Sequence, residues 1–135
     1  MMKKLWFLLL ILIVVACGKE LSFKGKEYTY QTEGGLNITL GFDGHTHRYF
    51  GKAVNQFFGT YQIKGNNIKF QYPTSTMKIG SSTHMRDEEK FFNALEHIDK
   101  FQLKKKILTF ITTDGKEIVM TLKENMKKQG FYYEK

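Results

Sequence analysis

Strict alternation of apolar and polar side chains is the strongest constraint that this sequence sets on its fold. In the segment 36–42, Leu36, Ile38, Leu40 and Phe42 occupy every second position. This period of two is typical of a β-strand with one buried face. Similar short segments recur along the chain and are separated by Gly, Asn and Asp, so the sequence predicts an antiparallel β-protein.

Eight strands are predicted in all. They cover residues 27–31, 36–42, 48–54, 57–64, 68–72, 99–104, 107–112 and 118–122. Asp43-Gly44 predicts a two-residue hairpin turn, and Asp114-Gly115 predicts a second hairpin. Because a single antiparallel sheet of this size curls on itself, we expect a mainly β (α+β) fold, in which about eight short strands form a partly open barrel with one helix packed across it.

The predicted helix follows an irregular stretch, 73–83. Ser82 or Thr83 is the expected N-cap, and the acidic run 87–89 is expected to interact with the positive end of the helix dipole rather than to act as an acid and a base. An apolar face follows at helical spacing. Its members are Phe91, Phe92, Leu95 and Ile98.

The N-terminus carries a targeting pattern. Lys3 and Lys4 precede an unbroken apolar run, 5–15, which ends in small residues at 16–18. This arrangement predicts an export signal, and the run is shorter than the roughly 20 apolar residues of a transmembrane helix. The segment 14–17 (Val-Val-Ala-Cys) resembles the lipobox of bacterial lipoproteins. The resemblance implies that Cys17, the chain's one cysteine, is lipidated on its thiol and becomes the mature N-terminus, which its acyl chains anchor to a membrane.

These features predict the domain organisation and the location. We expect a signal peptide at 1–16, a lipidated Cys17 with a tether at 17–26, a folded domain at 27–123 and a C-terminal tail at 124–135. The location is the bacterial cell envelope. Gly18, rather than Asp, follows Cys17, which favours the outer membrane, facing the periplasm, if the host has two membranes.

The basic charge sets a weaker expectation about partners. The whole chain has 21 Lys and Arg against 13 Asp and Glu, a net charge of +8, and cleavage after residue 16 removes Lys3 and Lys4. The mature chain at +6 could contact anionic lipid or an acidic protein. Export argues against a nucleic-acid partner. The lysines are dispersed along the sequence, which favours an ordinary solvated surface, and we expect a monomer.

Several ordered blocks resemble the META domain family, which includes HslJ-type heat-inducible lipoproteins. The blocks lie at 42–44, 51–61, 75–78, 85–95, 108–110 and 114–116. The resemblance implies an envelope protein linked to stress tolerance, secretion or virulence, with no established catalytic activity. It also implies a shape similar to that of pilot lipoproteins of secretion systems, which is a fold-level analogy.

One departure from the family pattern concerns cysteine. Val54 and Gly80 stand where many family members carry Cys. Both cysteines are missing together, as expected if they normally form a disulfide with each other. The resemblance therefore implies that this domain lacks a disulfide that typically contributes about 2–4 kcal/mol.

The candidate ligand-contact or interaction residues come from the most aromatic parts of the sequence. They are Asn55, Phe57, Phe58, Tyr61, Phe91, Phe92 and Leu95. Asn55 is expected to bend the chain through amide hydrogen bonds to the backbone, with ligand contact as the alternative. The aromatic residues are expected to form the core, but a surplus could line an apolar cavity between the sheet and the predicted helix.

Histidine spacing predicts no metal site. His45 and His47 would share one side of an extended chain, but a structural site normally needs four ligands, and His84 or His97 would have to come from elsewhere. We therefore expect a polar hairpin edge there, with no metal and no cofactor.

The sequence contains no evident nucleophile–base pair, phosphate loop or clustered carboxylate pair, so we expect no enzyme. The favoured hypothesis is a membrane-anchored lipoprotein that acts in protein interaction or envelope stress tolerance. The alternatives are a carrier or sensor of a lipid-like hydrophobic ligand, and a pilot or assembly lipoprotein of a secretion system.

Overall fold

The computed structural model describes residues 22–123, which form nine strands and one helix. The strands are β1 (Glu27–Gln31), β2 (Asn37–Phe42), β3 (Arg48–Lys52), β4 (Gln56–Lys64), β5 (Asn67–Phe70), β6 (Thr74–Ser75), β7 (Ile98–Lys104), β8 (Ile107–Thr112) and β9 (Glu117–Leu122). The helix α1 (Ser82–His97) lies between β6 and β7. Eight strands match the predicted ones, and the two-residue β6 lies in the stretch predicted to be irregular.

The strands form one antiparallel barrel. Their order is β3-β2-β1-β9-β8-β7-β5-β4, and pairing of β3 with β4 closes the ring, while β6 adds to β4. The β3–β4 ladder runs from the pair Arg48–Thr60 to the pair Lys52–Gln56, whereas β5 meets β7 at the single pair Asn67–Lys100. The fold prediction is confirmed as an eight-stranded barrel with one helix, and its loosest seam lies between β5 and β7.

Aromatic side chains fill the inside of the barrel. The alternating residues Ile38, Leu40 and Phe42 of β2 are all buried, as their period of two predicts. The ring of Phe42 lies 5.6 Å from that of Tyr61, measured between centroids, and many other rings pack in the same way. Filling by side chains is the usual state of a barrel of this size.

Two glycines make room for these rings. Gly51 lies within β3 and Gly59 lies within β4. A Cβ on Gly59 would lie 2.6 Å from the Tyr49 hydroxyl oxygen, and a Cβ on Gly51 would lie 2.5 Å from the Phe57 ring. Gly59 needs to be glycine because the Tyr49 side chain passes close to its backbone, and Gly51 because both the Phe57 ring and the Thr39 carbonyl oxygen of β2 do so.

The barrel has two unlike ends. At the end that we call the helix end, α1 packs over the turns at 32–36, 53–55 and 113–116. At the opposite end, which we call the terminal end, lie the turns at 43–47, 65–66 and 105–106. The chain enters the described fold at this second end through 22–26 and leaves it at Lys123.

The folded part begins before the first strand. Phe23, which falls in the segment predicted as a tether, is 3% exposed, and its ring centroid lies 4.3 Å from that of Phe42. The Gly25 N–H donates to the Phe42 carbonyl at 2.8 Å. Residues 23–26 therefore belong to the barrel and close its terminal end. The signal peptide, Cys17 and the C-terminal tail lie outside the described residues.

Two local predictions are wrong at their boundaries. The Asp43-Gly44 turn is a five-residue loop, 43–47, because the Asp43 carboxylate accepts hydrogen bonds from the backbone N–H of His45 and Thr46 at 3.0 and 2.8 Å. Ile98 does not extend the helical face. It is buried as the C-cap of α1 and also begins β7.

The helix start also differs from the prediction. Ser81 is the N-cap, and its hydroxyl accepts a hydrogen bond from the His84 N–H at 3.1 Å. The first turn contains no acidic residue. The run 87–89 therefore lies too far along α1 to neutralise the helix N-terminus, and two of its carboxylates have other partners, described below.

Candidate functional site

The structure places the seven candidate residues in four different environments. Phe57, Phe91, Phe92 and Leu95 are brought together, buried beneath α1, with 5.1 Å between the ring centroids of Phe57 and Phe92. Tyr61 is buried closer to the terminal end, where its ring stacks on His47. Phe58 points outward and is 53% exposed. The seventh residue, Asn55, is the centre of a polar network.

Asn55 joins three segments at the helix end. It is 3% exposed, in the bend between β3 and β4. Its side-chain oxygen accepts hydrogen bonds from the Lys78 N–H at 2.5 Å and from the Thr76 hydroxyl at 2.8 Å. Its side-chain amide donates to the Lys78 carbonyl at 3.2 Å. The expectation that this amide bonds to backbone is therefore confirmed, and it holds the segment 76–78 against the barrel.

The Glu88 carboxylate completes this network from α1. Glu88 is 5% exposed, and one of its oxygens accepts the Asn55 backbone N–H at 2.7 Å. The Asn55 side-chain amide donates to both Glu88 oxygens, at 3.1 and 3.2 Å. A buried charged group is tolerated where such hydrogen bonds replace water. Glu88 thus fixes the helix to the β3–β4 bend.

Asp87 fixes the same helix to the β1–β2 turn. Its carboxylate accepts a hydrogen bond from the Thr32 hydroxyl at 2.5 Å and from the Gly34 N–H at 3.2 Å. Thr32 in turn accepts the Leu36 N–H at 3.0 Å, which closes the turn. The prediction of dipole partners for this acidic run is therefore wrong for Asp87 and Glu88, because tertiary contacts with two loops use both carboxylates.

An open groove runs beside α1 at the helix end, with a volume of about 680 Å³. Its apolar part is formed by Tyr30, Phe91, Ala94 and Ile118. Charged and polar groups surround it, among them Glu33, Asp87, Lys90, His97, Asp114 and Lys116. Of the predicted ligand-contact residues, Phe91 alone is part of this groove. The others on α1 pack against the barrel instead.

Sequence reasoning missed most of the groove. Tyr30 and Ile118 come from strands predicted correctly, but their nearness to Ala94 depends on where α1 lies across the barrel. The Tyr30 and Phe91 rings stack with 6.2 Å between centroids. The Thr113 N–H donates to the His97 carbonyl at 2.9 Å and ties the helix C-terminus to the β8–β9 turn.

The four histidines lie at opposite ends of the barrel. His45 and His47 are in the loop 43–47 at the terminal end, whereas His84 and His97 are on α1. Within residues 22–123, no group of three or more His, Cys, Asp or Glu side chains could hold a metal ion. The four imidazoles therefore do not converge on one site.

Burial and hydrogen bonding shift several pKa values. Burial raises the pKa of the Tyr28, Tyr49 and Tyr61 hydroxyls, and for Tyr61 the Asp43 charge adds to the effect. The Thr46 hydroxyl lowers the pKa of Asp43, and the Thr112 hydroxyl lowers that of Asp114. These shifts follow from local solvation and turn geometry.

The two positions linked to the family disulfide are neighbours. A Cβ built on Gly80 would lie 3.9 Å from the Val54 Cβ and 3.2 Å from one of its methyl groups. Paired half-cystines have Cβ atoms about 3.5–4.5 Å apart. Val54 and Gly80 therefore keep the spacing of a disulfide site without its cysteines.

Two structures solved by NMR are similar to this chain. The described residues include no helix that is long and apolar enough to cross a bilayer. The chain is similar to a protein from Burkholderia xenovorans solved by NMR, with a TM-score of 0.62 and 15% identity over 76% of this chain and 85% of the other. A second NMR structure gives a TM-score of 0.59 and 12% identity, over 76% and 96% of the two chains.

A crystal structure of a DUF4847 family protein from Bacteroides vulgatus has a TM-score of 0.48 and 20% identity, over 66% of this chain and 59% of the other. No curated protein matches by sequence. The two NMR structures support the barrel fold alone. The META domain family matches residues 20–125, a span that contains the whole described barrel. The chain therefore belongs to the META domain family.

Proposed function

We propose that this protein is a non-enzymatic envelope lipoprotein that presents a META domain from a membrane. The observation that carries the proposal is the lipobox-like segment 14–17, in which the single cysteine ends an apolar run behind two lysines. Cys17 also lies just five positions before Ser22, the first described residue. A lipid on its thiol would hold the barrel beside the bilayer by its terminal end.

The helix end would then face away from the membrane and be available to an envelope partner. Its groove combines an apolar floor with a charged rim, an arrangement suited to binding a protein segment non-covalently. On α1, the half-buried Asp87 and the buried Glu88 hold two loops in place through hydrogen bonds. Because hydrogen bonds to these loops occupy both carboxylates, they are poor candidates for a catalytic acid and base, which supports the non-enzymatic part of the proposal.

Substitution of the lipidation site tests the anchor. Cys17→Ser should leave the precursor uncleaved or release the product from the membrane fraction, because the thiol that accepts the acyl chains is gone. Ser22→Ala, which keeps Cys17 and changes an exposed residue, should fractionate like the wild type. Normal processing and membrane retention of Cys17→Ser would contradict the proposal.

A stress experiment tests the role itself. Cells that lack the gene should survive heat or detergent less well, and the wild-type gene should restore survival. The Cys17→Ser gene should restore it poorly if the domain acts at the membrane. Equal survival of all strains would count against stress tolerance while leaving the anchor untouched.

A second candidate function is the carriage of a lipid-like ligand, favoured by the 680 Å³ groove and its apolar residues. Volumes of several hundred Å³ are typical of small-molecule sites. Native mass spectrometry of the protein extracted from membranes should then show a bound mass. Ala94→Trp should remove that mass by filling the groove, whereas Glu89→Trp, exposed on the same helix but not in the groove, should keep it. Absence of any bound mass in the wild type would reject this candidate.

A further inference from the structure

The charge of the described domain is concentrated at its terminal end. The turns, strand ends and chain segments there carry eight cationic side chains and two carboxylates, a net charge of +6. The cationic residues are Lys24, Lys26, Arg48, Lys64, Lys104, Lys105, Lys106 and Lys123, and the carboxylates belong to Glu27 and Asp43. The remainder of residues 22–123 has seven Lys and Arg against eight Asp and Glu, a net charge of −1. The domain is therefore strongly polarised along its length.

Two acidic groups lie at this end. The Glu27 carboxylate lies 3.5 Å from the Lys123 ammonium group, with which it forms an ion pair. The Asp43 carboxylate accepts hydrogen bonds from the Thr46 hydroxyl and from two backbone N–H groups of its own loop. Lys26, Lys64, Lys104 and Lys105 are all exposed. A rim of ammonium groups thus surrounds the point where the chain enters the barrel.

Chain length limits how far this rim can lie from Cys17. Five residue steps separate Cys17 from Ser22, and a fully extended chain advances about 3.3–3.6 Å per residue. An anchor at Cys17 therefore keeps Ser22 within roughly 18 Å of the lipid attachment point. This distance is an upper limit, and an anchor at Cys17 allows the closer approach, within about one Debye length of 8 Å, at which the charges at this end interact with the bilayer surface.

We infer that the terminal end is a docking surface for anionic phospholipid headgroups, which orients the barrel with its helix end and groove away from the bilayer. This inference rests on the proposed anchor and adds a surface, a partner chemistry and an orientation to it. Lysines near a negatively charged surface are attracted to it, and the interaction weakens with salt. The near-neutral remainder of the domain offers no comparable attraction.

Lysine acetylation on vesicles tests the orientation. The full chain, purified from membranes, is added to the outside of vesicles that contain about 30% phosphatidylglycerol, or of neutral phosphatidylcholine vesicles. A membrane-impermeant acetylating reagent is applied, and each lysine is read by mass spectrometry. On anionic vesicles Lys104 and Lys105 should react at least about threefold more slowly than on neutral ones, while Lys90 and Lys116 should react equally on both. Salt of about 0.5 M should abolish the difference.

Matched charge reversals separate this surface from net charge. Lys26→Glu with Lys104→Glu should remove the protection of Lys105, whereas Lys90→Glu with Lys116→Glu, the same change in charge at the helix end, should leave it intact. Circular dichroism checks that both double variants fold. If one of them does not fold, the acetylation pattern of the wild type on the two kinds of vesicle decides the inference. Uniform acetylation of the wild type on both vesicle types would overturn the inference.

Failure of the anchor gives a different result. The intact mass of the purified chain reports whether Cys17 carries acyl chains, independently of the acetylation pattern. A lipidated chain with uniform acetylation would retain the anchor and reject the docking surface. A chain without lipid that still shows protection of Lys105 on anionic vesicles would reject the anchor and retain the surface.

Discussion

The two ends of this barrel are closed by different physical means. At the helix end, α1 is held by buried polar contacts, with Glu88 bonded to Asn55 and Asp87 bonded to Thr32. At the terminal end, the Phe23 ring fills the opening and packs on Phe42 and on other rings. Hydrogen bonds specify one placement of a helix, whereas an aromatic plug needs only volume and burial. The groove lies at the helix end because residues of α1 line it.

The largest expected effect is loss of the aromatic plug. Phe23→Ala should lower the free energy of unfolding by about 4 kcal/mol, because it removes a buried ring and leaves a cavity. Denaturation by urea measures the change. Phe58→Ala, whose side chain is 53% exposed, is the control and should cost less than about 1 kcal/mol. Equal losses for the two variants would show that Phe23 does not close the terminal end.

Breaking the polar network at the helix end should cost slightly less. Asn55→Ala should lower the free energy of unfolding by about 3 kcal/mol, because the buried Glu88 carboxylate loses the side-chain amide and keeps only the backbone N–H of residue 55, while the Thr76 hydroxyl and the Lys78 N–H lose their acceptor. Asn93→Ala, exposed on α1, is the control and should change little. Phe23 packs on Phe42, Tyr61 and Phe101, whereas Asn55 bonds to Thr76, Lys78 and Glu88. Because these partners differ, the losses of Phe23→Ala and Asn55→Ala should add to within about 0.5 kcal/mol in the double variant. A clear departure from additivity would mean that the ends are coupled.

A new disulfide should strengthen the helix end alone. The double variant Val54→Cys with Gly80→Cys should form an intramolecular disulfide, because the geometry already places the two Cβ positions 3.9 Å apart. The oxidised form should be more stable than its reduced form by about 2–3 kcal/mol. Thiol titration and unfolding with and without reductant measure both effects. Free thiols under oxidising conditions would contradict the geometry.

Two buried tyrosines provide a smaller comparison. The Tyr49 hydroxyl donates to the Gln71 carbonyl at 2.5 Å, whereas the Tyr61 hydroxyl, near the terminal end, is buried with no hydrogen-bond partner among the described residues. Tyr49→Phe should therefore cost about 1 kcal/mol, and Tyr61→Phe should leave stability unchanged or raise it slightly. Thermal unfolding of both variants checks the sign. A larger loss for Tyr61→Phe would reveal a polar partner for its hydroxyl.

The smallest expected effects are on the pKa values of two aspartates, Asp43 in a loop at the terminal end and Asp114 in a turn at the helix end. Asp43 and Asp114 should both titrate below their usual pKa of 3.8. Since the folded state lowers these pKa values, the contribution of each carboxylate to stability is present above pH 3.8 and is lost as the pH falls through its folded pKa. Thr46→Val should raise the pKa of Asp43 and leave Asp114 unchanged as an internal reference. Carboxyl titration by NMR measures both, and an unchanged Asp43 would contradict the role of Thr46.

Much of the barrel could be predicted from local pattern, and its polar network could not. The alternation in β2 and the spacing of Phe91, Phe92 and Leu95 identify buried faces, because burial repeats with the period of the element. Glu88 lies three and four positions before Phe91 and Phe92, so helical spacing places it on the buried face, whereas its charge favours an exposed position. Its burial depends on Asn55, which lies 33 residues earlier in the chain. Phe23 was missed for a similar reason, since one aromatic residue in a polar segment has no periodicity.

Local sequence determined the period of each strand, the site of the helix and the signature at Cys17, because these depend on neighbouring residues and on the length of an apolar run. The tertiary structure alone decided which end the helix covers, which carboxylates are buried and how the lysines gather at the terminal end. Closing a barrel brings separate turns together, and residues far apart in the chain then share one surface. No local pattern contains that information, because barrel closure places each turn relative to all the others.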